Sequence, residues 1–304
     1  MKIRATVGVC LRNCERAVRL VTNIISSQDF PHENLEVIFV DDGSQDNTLN
    51  EILKIAPTMN IKYKVFHHTW KGLGYSRNVV LSNTQGDYIV WIDDGTIIPK
   101  DYVRKQVDLL EKEPNLGIIR GFIGAYSGSN RAAALENMGE LVFSQRYAGK
   151  TIAKRLGTSG SIFRVKAAKQ VGGFDEALKG ASEDSDIFHR ILSTGWQIHI
   201  TNIEFSIEYN QSFKNVWRKS FWYGYGDHFF MHKHKELSKN ILKITPLAGF
   251  LEGMLNFSIA FRLTNRKLAF MLPVYNFSKR ILWCLGFIKS HFDAYGHSKK
   301  SLVS

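Results

Sequence analysis

The chain has 304 residues and a net charge of +12, with 44 % hydrophobic and 22 % charged residues. This length allows one large domain or two modest ones, and the composition excludes an intrinsically disordered chain. There are three cysteines, and Cys10 and Cys14 do not have the spacing of a common zinc pair. Because the N-terminus lacks the apolar core of a signal peptide, we expect a cytoplasmic protein with reduced thiols.

Alternating strand and helix patterns fill the first hundred residues. Short apolar and β-branched runs predict strands at residues 6–11, 35–40, 62–66 and 88–92. Helical periodicity predicts helices between them, at residues 17–25, 49–55 and 72–83. This alternation is typical of a parallel sheet with right-handed crossovers and therefore of an α/β fold.

The next hundred residues continue with further helices and strands. Periodicity predicts helices at residues 101–112, 131–145 and 187–194, and strand-like segments near 116–125. No G-x-G-x-x-G follows the first strand, no Walker A sequence occurs, and the G-x-S-x-G nucleophile elbow is also missing. The sequence therefore excludes the dinucleotide fingerprint and the P-loop as phosphate sites.

The fourth predicted strand ends in two adjacent carboxylates, Asp93 and Asp94, followed by Gly95. Open α/β sheets bind ligands at the carboxyl ends of their strands, and paired acids there suit a hard divalent cation shared with substrate phosphates. A strand that leaves the core through a polar Asp-Gly turn would show the same residues. Both interpretations stay open on these residues alone.

Six short segments carry polar residues at the ends of predicted elements. They are 5–13 ending in Asn13, Val40-Asp41-Asp42-Gly43-Ser44, Gly72 with Arg77-Asn78, 86–92 with Asp93-Asp94, Gly172-Gly173-Phe174-Asp175, and Glu183-Asp184 with Arg190 and Gly195-Trp196. Their order and spacing resemble the family 2 glycosyltransferases over residues 3–225. The resemblance implies a Rossmann-like GT-A nucleotide-diphospho-sugar transferase fold, with a mixed, mostly parallel sheet flanked by helices. It also implies a nucleotide-sugar donor and inversion at the anomeric carbon.

The resemblance also implies a role for each of these polar residues. It places Asp42 at the nucleobase, Arg77 at the nucleotide, and Glu183 among the residues that bind the nucleotide sugar. Asp93 and Asp94 match the D-x-D motif that handles ribose, the diphosphate and a metal ion, Mg²⁺ or Mn²⁺. Asp184 matches the general base, which takes the proton of the acceptor hydroxyl, while the metal neutralises charge on the departing diphosphate.

Two positions depart from the family pattern. Gly95 stands where the second acid of D-x-D is usual, so that either Asp94 supplies the metal ligand or metal binding is weakened. Arg12 stands where an aromatic residue that stacks on the base is common, which leaves the identity of the nucleobase open.

The C-terminal third differs from the rest of the chain in charge. Residues 1–210 contain 25 Lys and Arg against 24 Asp and Glu, whereas residues 211–304 contain 15 against 4. Aromatic residues and cations alternate over residues 211–226, which resembles the acceptor side of family members. The Q-x-x-R-W motif of processive synthases is missing, and this favours single transfer.

Several apolar runs follow in this basic region. Residues 247–255 have the periodicity of an amphipathic helix, and runs at 268–277 and 281–288 are separated by Lys279-Arg280. These segments favour helices on an anionic membrane surface over membrane spans. A helical cap on the catalytic domain or a dimer interface, and hence a homo-oligomer, is the alternative. The spacing of His228, His232 and His234 would allow a zinc site, but the interleaved lysines favour a cationic loop facing phosphate or lipid.

The sequence as a whole predicts a hexosyltransferase with a catalytic domain at 1–215 and a basic amphipathic helical region at 216–304. It would transfer a hexose from a UDP- or GDP-sugar to a lipid-linked or polysaccharide-precursor acceptor, as a peripheral protein on the inner face of the cell membrane. One alternative is a basic protein that binds single-stranded nucleic acid. Acids at the strand ends argue against that partner because they would repel phosphate. The other alternative is a catalytically inactive GT-A relative.

Overall fold

The structure, a computed structural model, describes residues 2–124, 130–153, 156–178, 181–208, 212–237 and 245–293. The chain divides into two compact units. The first comprises Met1–Gly124, Ser144–Lys179 and Glu183–Glu208, and the second comprises Ala125–Phe143, Gly180–Ser182 and Tyr209–Ser304. The boundary predicted from the sequence, between a catalytic domain at 1–215 and a basic helical region at 216–304, stays a prediction.

The described residues form strands and helices throughout both units. The strands are β1 (Ala5–Leu11), β2 (Leu35–Asp42), β3 (Lys62–His68), β4 (Tyr88–Trp91), β5 (Thr96–Ile97), β6 (Leu116–Ile123), β7 (Lys150–Ile152), β8 (Ser161–Arg164) and β9 (Gln197–Ile207). The α-helices are α1 (Glu15–Ser26), α2 (Thr48–Ile55), α3 (Leu73–Asn83), α4 (Tyr102–Lys112), α5 (Arg131–Tyr147), α6 (Val165–Gln170), α7 (Glu183–Ser193), α8 (Phe213–Lys233), α9 (Pro246–Thr264) and α10 (Leu272–Phe292). Short 3₁₀ helices lie at His32–Asn34, Ala56–Thr58 and Lys267–Met271.

The strands of the first unit join into a mixed sheet with the order β3-β2-β1-β4-β8-β6-β9-β5, and β7 also pairs with β9. The block from β3 to β4 is parallel, as the alternation of strands and helices predicts. Beyond it, β8 runs antiparallel to both β4 and β6. The predicted α/β fold with a mixed sheet flanked by helices is confirmed.

The inner strands of the parallel block, β1, β2 and β4, are buried, whereas the edge strand β3 is only partly buried. All of β2 is buried, and β1 is buried except for a half-buried Cys10. Parallel strands covered on both faces read as continuous apolar runs, and for this reason the sequence reveals them. In register, Gly8 of β1 lies opposite Trp91 of β4, whose ring would be 2.7 Å from a Cβ at position 8. Because β1 pairs in parallel with both β2 and β4, the carboxyl ends of these three strands meet at one edge of the sheet.

The helix α7 begins four residues earlier than the sequence indicates. It starts at Glu183 and not at Ile187, so Glu183, Asp184 and Asp186 all lie in its first turn. Negative side chains are stabilised there by the positive end of the helix dipole. The early start also fixes the direction in which the Glu-Asp motif faces, because helical geometry sets successive side chains about 100° apart.

The described part of the second unit contains the long helices α8, α9 and α10 and most of α5. Its α8 and α10 cross at two glycines, since a Cβ at Gly224 would overlap the carbonyl of Trp283, and one at Gly286 would overlap the carbonyl of Phe221. His228 and His232 lie on α8, so the predicted loop around these histidines is wrong. Within the described ranges, no helix combines the length and the apolar character needed to cross a membrane.

The apolar runs on the two sides of Lys279-Arg280 form one continuous helix, α10, of 21 residues. The two cations do not interrupt it because each one has an acidic partner in the same unit. Lys279 Nζ lies 2.5 Å from Glu136 Oε1, and Arg280 Nη2 lies 3.4 Å from Glu252 Oε2. Charge alone is therefore a poor marker of where this helix ends.

Candidate active site

Asp42 lies at the end of β2 and is buried. Its Oδ1 accepts a hydrogen bond from the backbone N–H of Lys71 at 2.8 Å, and its Oδ2 accepts one from Gly72 at 3.1 Å. Its carboxylate therefore holds the chain in place where it enters α3. The nucleobase contact assigned to Asp42 stays a prediction.

Arg77 joins two of the predicted site residues. It lies on α3 with 2 % of its side chain exposed, and its Nη1 donates to Glu183 Oε1 at 2.8 Å while its Nη2 donates to Asp93 Oδ1 at 3.3 Å. Burial acts to lower the pKa of Arg77, but the charges of Asp93 and Glu183 outweigh it and raise that pKa. The guanidinium is thus a fixed positive charge between the strand end and α7.

Aromatic rings and a neighbouring amide hold this guanidinium in place. Its Cζ lies 5.8 Å from the ring centroid of Trp91 and 5.5 Å from that of Phe174. Asn78 donates to the carbonyl of Phe174 at 2.9 Å and accepts from its N–H at 2.8 Å. Two of the six sequence segments, Arg77-Asn78 and the Gly-Gly-Phe-Asp turn, therefore act together in positioning one cation.

The two acids of the Glu-Asp motif have different surroundings. Glu183 is buried, and burial raises the pKa of its carboxyl group to about 7; the charge of Asp184 adds to the rise and Arg77 opposes it. Asp184 is half-buried, and its Oδ2 would lie 3.9 Å from a Cβ at position 157, which is a glycine. Asp184 is therefore the more accessible carboxylate of the pair.

The turn after β4 carries Asp93 and Asp94. The N–H of Thr96 donates to the carbonyl of Asp93 at 3.1 Å, and the N–H of Asp93 donates to Thr96 Oγ1 at 3.2 Å. Asp94 is exposed, whereas the Asp93 side chain is about one-third exposed at 32 %. Both carboxylates lie at the edge of the sheet where ligands bind in open α/β folds.

Gly95 cannot be replaced by an aspartate without a change in the backbone. It has a φ of +80°, and a Cβ there would lie 2.8 Å from the carbonyl oxygen of Glu208. The N–H of Glu208 also donates to the carbonyl of Gly95 at 2.7 Å, which fixes the two segments against each other. The usual second acid of D-x-D is thus excluded by packing at this position.

The residues at this turn suit a divalent metal in their chemistry. Carboxylate oxygens are the ligands that Mg²⁺ prefers, and Mg²⁺ usually takes one or two of them together with substrate phosphates. Neither Asp93 nor Asp94 belongs to a group of three ligand atoms within 4.8 Å of one another in the described part of the chain. The arrangement fits an ion that shares its coordination with a diphosphate better than one enclosed by protein.

Sequence reasoning missed one feature near this edge. The guanidinium of Arg12 lies 5.3 Å from the ring centroid of Trp70, and both side chains are exposed. The backbone N of Trp70 lies 2.6 Å from the position of a Cβ on Gly43, directly after Asp42. The signal in the sequence that could have indicated this contact is Trp70 itself, just before the glycine-rich entry of α3. Desolvation raises the pKa of the half-buried Cys10 thiol to about 12.

The fold is similar to that of solved glycosyltransferases. A mannosyltransferase from Pyrobaculum calidifontis, PcManGT, in complex with GDP-Man and Mn²⁺, superposes with a TM-score of 0.68 at 16 % identity, covering 96 % of this chain and 88 % of that one. Staphylococcus aureus TarS 1-349 in complex with UDP gives a TM-score of 0.55 at 18 % identity, covering 97 % and 92 %. The architecture is therefore that of the GT-A glycosyltransferases.

Sequence comparison is more specific. The model of the family described as Glycosyl transferase family 2 matches residues 6–172, and the chain belongs to that family. Among curated relatives, the poly(ribitol-phosphate) beta-N-acetylglucosaminyltransferase TarS of S. aureus (strain MW2) is 29 % identical over 110 residues, which are 36 % of this chain and 19 % of TarS. The putative glycosyltransferase EpsH of Bacillus subtilis (strain 168) is 29 % identical over 136 residues, which are 45 % of this chain and 36 % of EpsH. The matches thus span less than two-fifths of these relatives.

Proposed function

We propose that this protein is an inverting hexosyltransferase that uses a UDP- or GDP-sugar, with Asp184 as the general base. The observation that supports this most is the ion network in which Arg77 joins Asp93 to Glu183. It links the strand end that carries the acidic pair to the helix that carries the Glu-Asp motif. A binding-only relative would have no chemical need for an accessible carboxylate beside this network.

Each residue has a distinct task in the proposed reaction. Asp184 takes the proton from the acceptor hydroxyl as that oxygen attacks the anomeric carbon from the face opposite the nucleotide. Buried Glu183 and Arg77, together with the partly exposed Asp93, form an ion network that keeps the first turn of α7 aligned with the end of β4. Asp93 and Asp94 would hold Mg²⁺ or Mn²⁺, which supplies positive charge to the diphosphate. Asp42 would contact the nucleobase.

The donor and the acceptor are proposed at the level of chemical class. The solved relatives bind GDP-Man, UDP and UDP-GlcNAc, which supports a nucleotide-diphosphate sugar as donor. The basic C-terminal third supports an acceptor that is lipid-linked or a polysaccharide precursor, used on the inner face of the cell membrane. No nucleic-acid partner is proposed.

The test is the Asp184→Asn variant. We expect transfer to fall by a factor of about 10² to 10⁴, because general-base catalysis contributes that much. Binding of the donor nucleotide would stay near the wild-type level, since the base acts on the acceptor. Release of UDP or GDP from a panel of nucleotide hexoses with saccharide and lipid-linked acceptors measures the first quantity, and calorimetric titration with the nucleotide measures the second.

Asp186→Asn is the matched control. Asp186 lies on the same helical turn, but its carboxylate is buried and accepts from Arg190 Nε at 2.7 Å. We expect this control to lower stability while the folded protein still transfers sugar. Equal loss of transfer in both variants, or unchanged turnover in Asp184→Asn, would remove Asp184 as the base.

A further inference from the structure

The outer face of α10 is an exposed apolar stripe. Six of its side chains are between 37 % and 80 % exposed and recur at intervals of three and four residues, which places them on one face of the helix. They are Val274, Phe277, Ile281, Leu285, Ile288 and Phe292. The helix is about 31 Å long at 1.5 Å per residue, so the stripe runs along its full length.

The opposite face of α10 is already packed within the second unit. Tyr275, Trp283 and Ser290 are buried, and Gly286 is in close contact with the backbone of α8. Trp283 Nε1 also donates to Asp227 Oδ2 at 2.9 Å. Because these contacts fix the rotation of the helix, the apolar stripe cannot turn inward.

The neighbouring helix α9 adds a second exposed apolar set. Leu247, Leu251 and Leu255 lie one helical turn apart and are all more than half exposed. Gly249 and Gly253 of the same helix lie against α10, at Arg280 and Pro273. Two packed helices thus each present large apolar side chains to the outside, an arrangement that marks an interaction site.

Exposed cations accompany these apolar side chains. Arg262 is exposed in the last turn of α9, and Arg266 and Lys267 are exposed directly after that helix. The large side chains of Leu263 and Phe270 are also exposed in this segment. Residues 211–304 as a whole contain 15 Lys and Arg against 4 Asp and Glu. A second copy of this chain would bring like charges together, whereas an anionic lipid surface would complement them.

We infer that α9 and α10 lie flat in the interface of an anionic bilayer, with the α10 stripe entering the boundary between headgroups and acyl chains. The inference rests on the proposed function, because a lipid-linked acceptor would lie in the same membrane surface. The partner is lipid, held by apolar burial together with charge.

The test measures co-sedimentation of the full chain with vesicles. Vesicles of phosphatidylcholine with one-third phosphatidylglycerol are compared with vesicles of phosphatidylcholine alone. We expect binding to the anionic vesicles that weakens with salt. The double variant Leu285→Gln/Ile288→Gln should weaken it by about tenfold or more, because two apolar side chains lose their burial.

Matched controls separate the stripe from general hydrophobicity and charge. Leu285 and Ile288 are 50 % and 51 % exposed, and the control Leu53→Gln/Tyr63→Gln changes residues of the first unit that are 52 % and 40 % exposed. This control should bind vesicles like the wild type. Arg262→Gln/Lys267→Gln should weaken binding about fivefold for each charge, whereas Lys100→Gln/Lys112→Gln should not weaken it.

Other outcomes would overturn the inference. One is equal binding by the stripe variant and the wild type, and another is no binding to either vesicle. A concentration-dependent dimer that the stripe variant abolishes, without vesicle binding, would assign the face to a second copy. Thermal stabilisation by donor nucleotide on the same proteins reports separately on the proposed function. If the protein bound vesicles but donor nucleotide did not stabilise it, the proposed transferase function would be rejected. The inference that α9 and α10 bind lipid would be kept.

Discussion

Gly95 shows how a single backbone conformation limits where the turn after β4 can carry an acid. Its positive φ and its contact with Glu208 leave no room for a side chain at position 95. The sequence offered two readings of this departure, a shifted ligand or weakened metal binding. The packing of Gly95 excludes an acid at position 95 itself, which supports the proposal that Asp94 supplies the ligand.

Gly95→Ala should lower the free energy of unfolding more than Gly195→Ala does. Both glycines have positive φ, but no atom lies within 4 Å of a Cβ at Gly195. The control should cost about 1 kcal/mol for the left-handed backbone, and the clash at Gly95 should add about 1–3 kcal/mol. Urea denaturation of both variants measures the difference. Equal costs would show that Glu208 does not restrict position 95.

The raised pKa of Glu183 predicts a pH dependence of stability. Its folded pKa of about 7 lies above its ordinary value of 4.5, so the folded state binds the proton more tightly than the unfolded state does. The stability contributed by this group is full below about pH 4.5 and is lost as pH rises towards 7. Glu183→Gln should therefore flatten the fall in the free energy of unfolding over that window.

Asp184→Asn provides the control for this profile. Because the charge of Asp184 helps to raise the pKa of Glu183, removing it should move the fall in stability to lower pH. Urea melts between pH 4 and pH 8 would show the displacement. An unchanged profile in Glu183→Gln would mean that another group dominates this range.

At the scale of elements, the helices of the second unit depend on close glycine contacts. Gly224 and Gly286 let the backbones of α8 and α10 approach where any side chain would overlap a carbonyl group. The two apolar runs around Lys279-Arg280 form one helix, α10, and the two cations within it form ion pairs with Glu136 and Glu252. Neither fact is visible in local periodicity, because both depend on partners distant in the chain.

Gly286→Ala should destabilise the protein by about 1–3 kcal/mol, the usual cost of overpacking. The control is Gly139→Ala on α5, where a Cβ would meet no atom within 4 Å. Alanine there should stabilise by about 0.5–1 kcal/mol, because it reduces the freedom of the unfolded chain. Thermal melts of the two variants should therefore shift in opposite directions. A stabilised Gly286→Ala would contradict the close crossing.

The parallel half of the sheet could be predicted from the sequence, but the other half only in part: the apolar segment near 116–125 predicted β6 (Leu116–Ile123). Buried parallel strands such as β1 and β2 are continuous apolar runs, and their helices are amphipathic. The strands β5 and β7 have only two and three residues, too few for periodicity to show. The insertion of antiparallel β8 between β4 and β6 is set by long-range pairing, which local patterns do not encode.

The candidate site divides in the same way. Asp93 and Asp94 follow a strand whose end the sequence predicts, so their position could be read locally. Glu183 and Asp184 were selected through the family resemblance, because the sequence predicted the start of α7 four residues too late. The bridging position of Arg77 depends on three elements meeting, and its partner Glu183 is 106 residues away. Such a contact follows from the fold and not from the spacing. The stacking of Arg12 on Trp70 was missed for the same reason.

At the scale of the whole molecule, nucleotide binding is the most direct test of the family assignment in this chain. A ligand that binds only the folded state raises the free energy of unfolding, by about 2.7 kcal/mol when its concentration is a hundred times Kd. The melting temperature rises as a result. We expect UDP or GDP to stabilise the protein, with CDP as the contrast, and the shift to need Mn²⁺ or Mg²⁺. A thermal-shift series with each nucleotide, with and without metal, measures this.

Asp94→Asn should remove the part of that shift that depends on metal. Asp87→Asn is its matched control, because Asp87 is an exposed acid just before β4 whereas Asp94 lies just after it. The control should keep the full shift. If Asp94→Asn also kept it, the ion would be held elsewhere, and no shift with any nucleotide would argue for a relative that has lost donor binding.

The turn at Gly95 also bears on how this gene can vary. Two of the four glycine codons become aspartate codons through one base change, so a point mutation of either codon can place an aspartate at position 95. Physical chemistry closes that route, since the new side chain would meet the carbonyl of Glu208 on a backbone that already has a φ of +80°. A chain with aspartate at this position would need a second change that moves residue 208. The spacing of the acidic pair is therefore protected by a neighbour that takes no part in the chemistry.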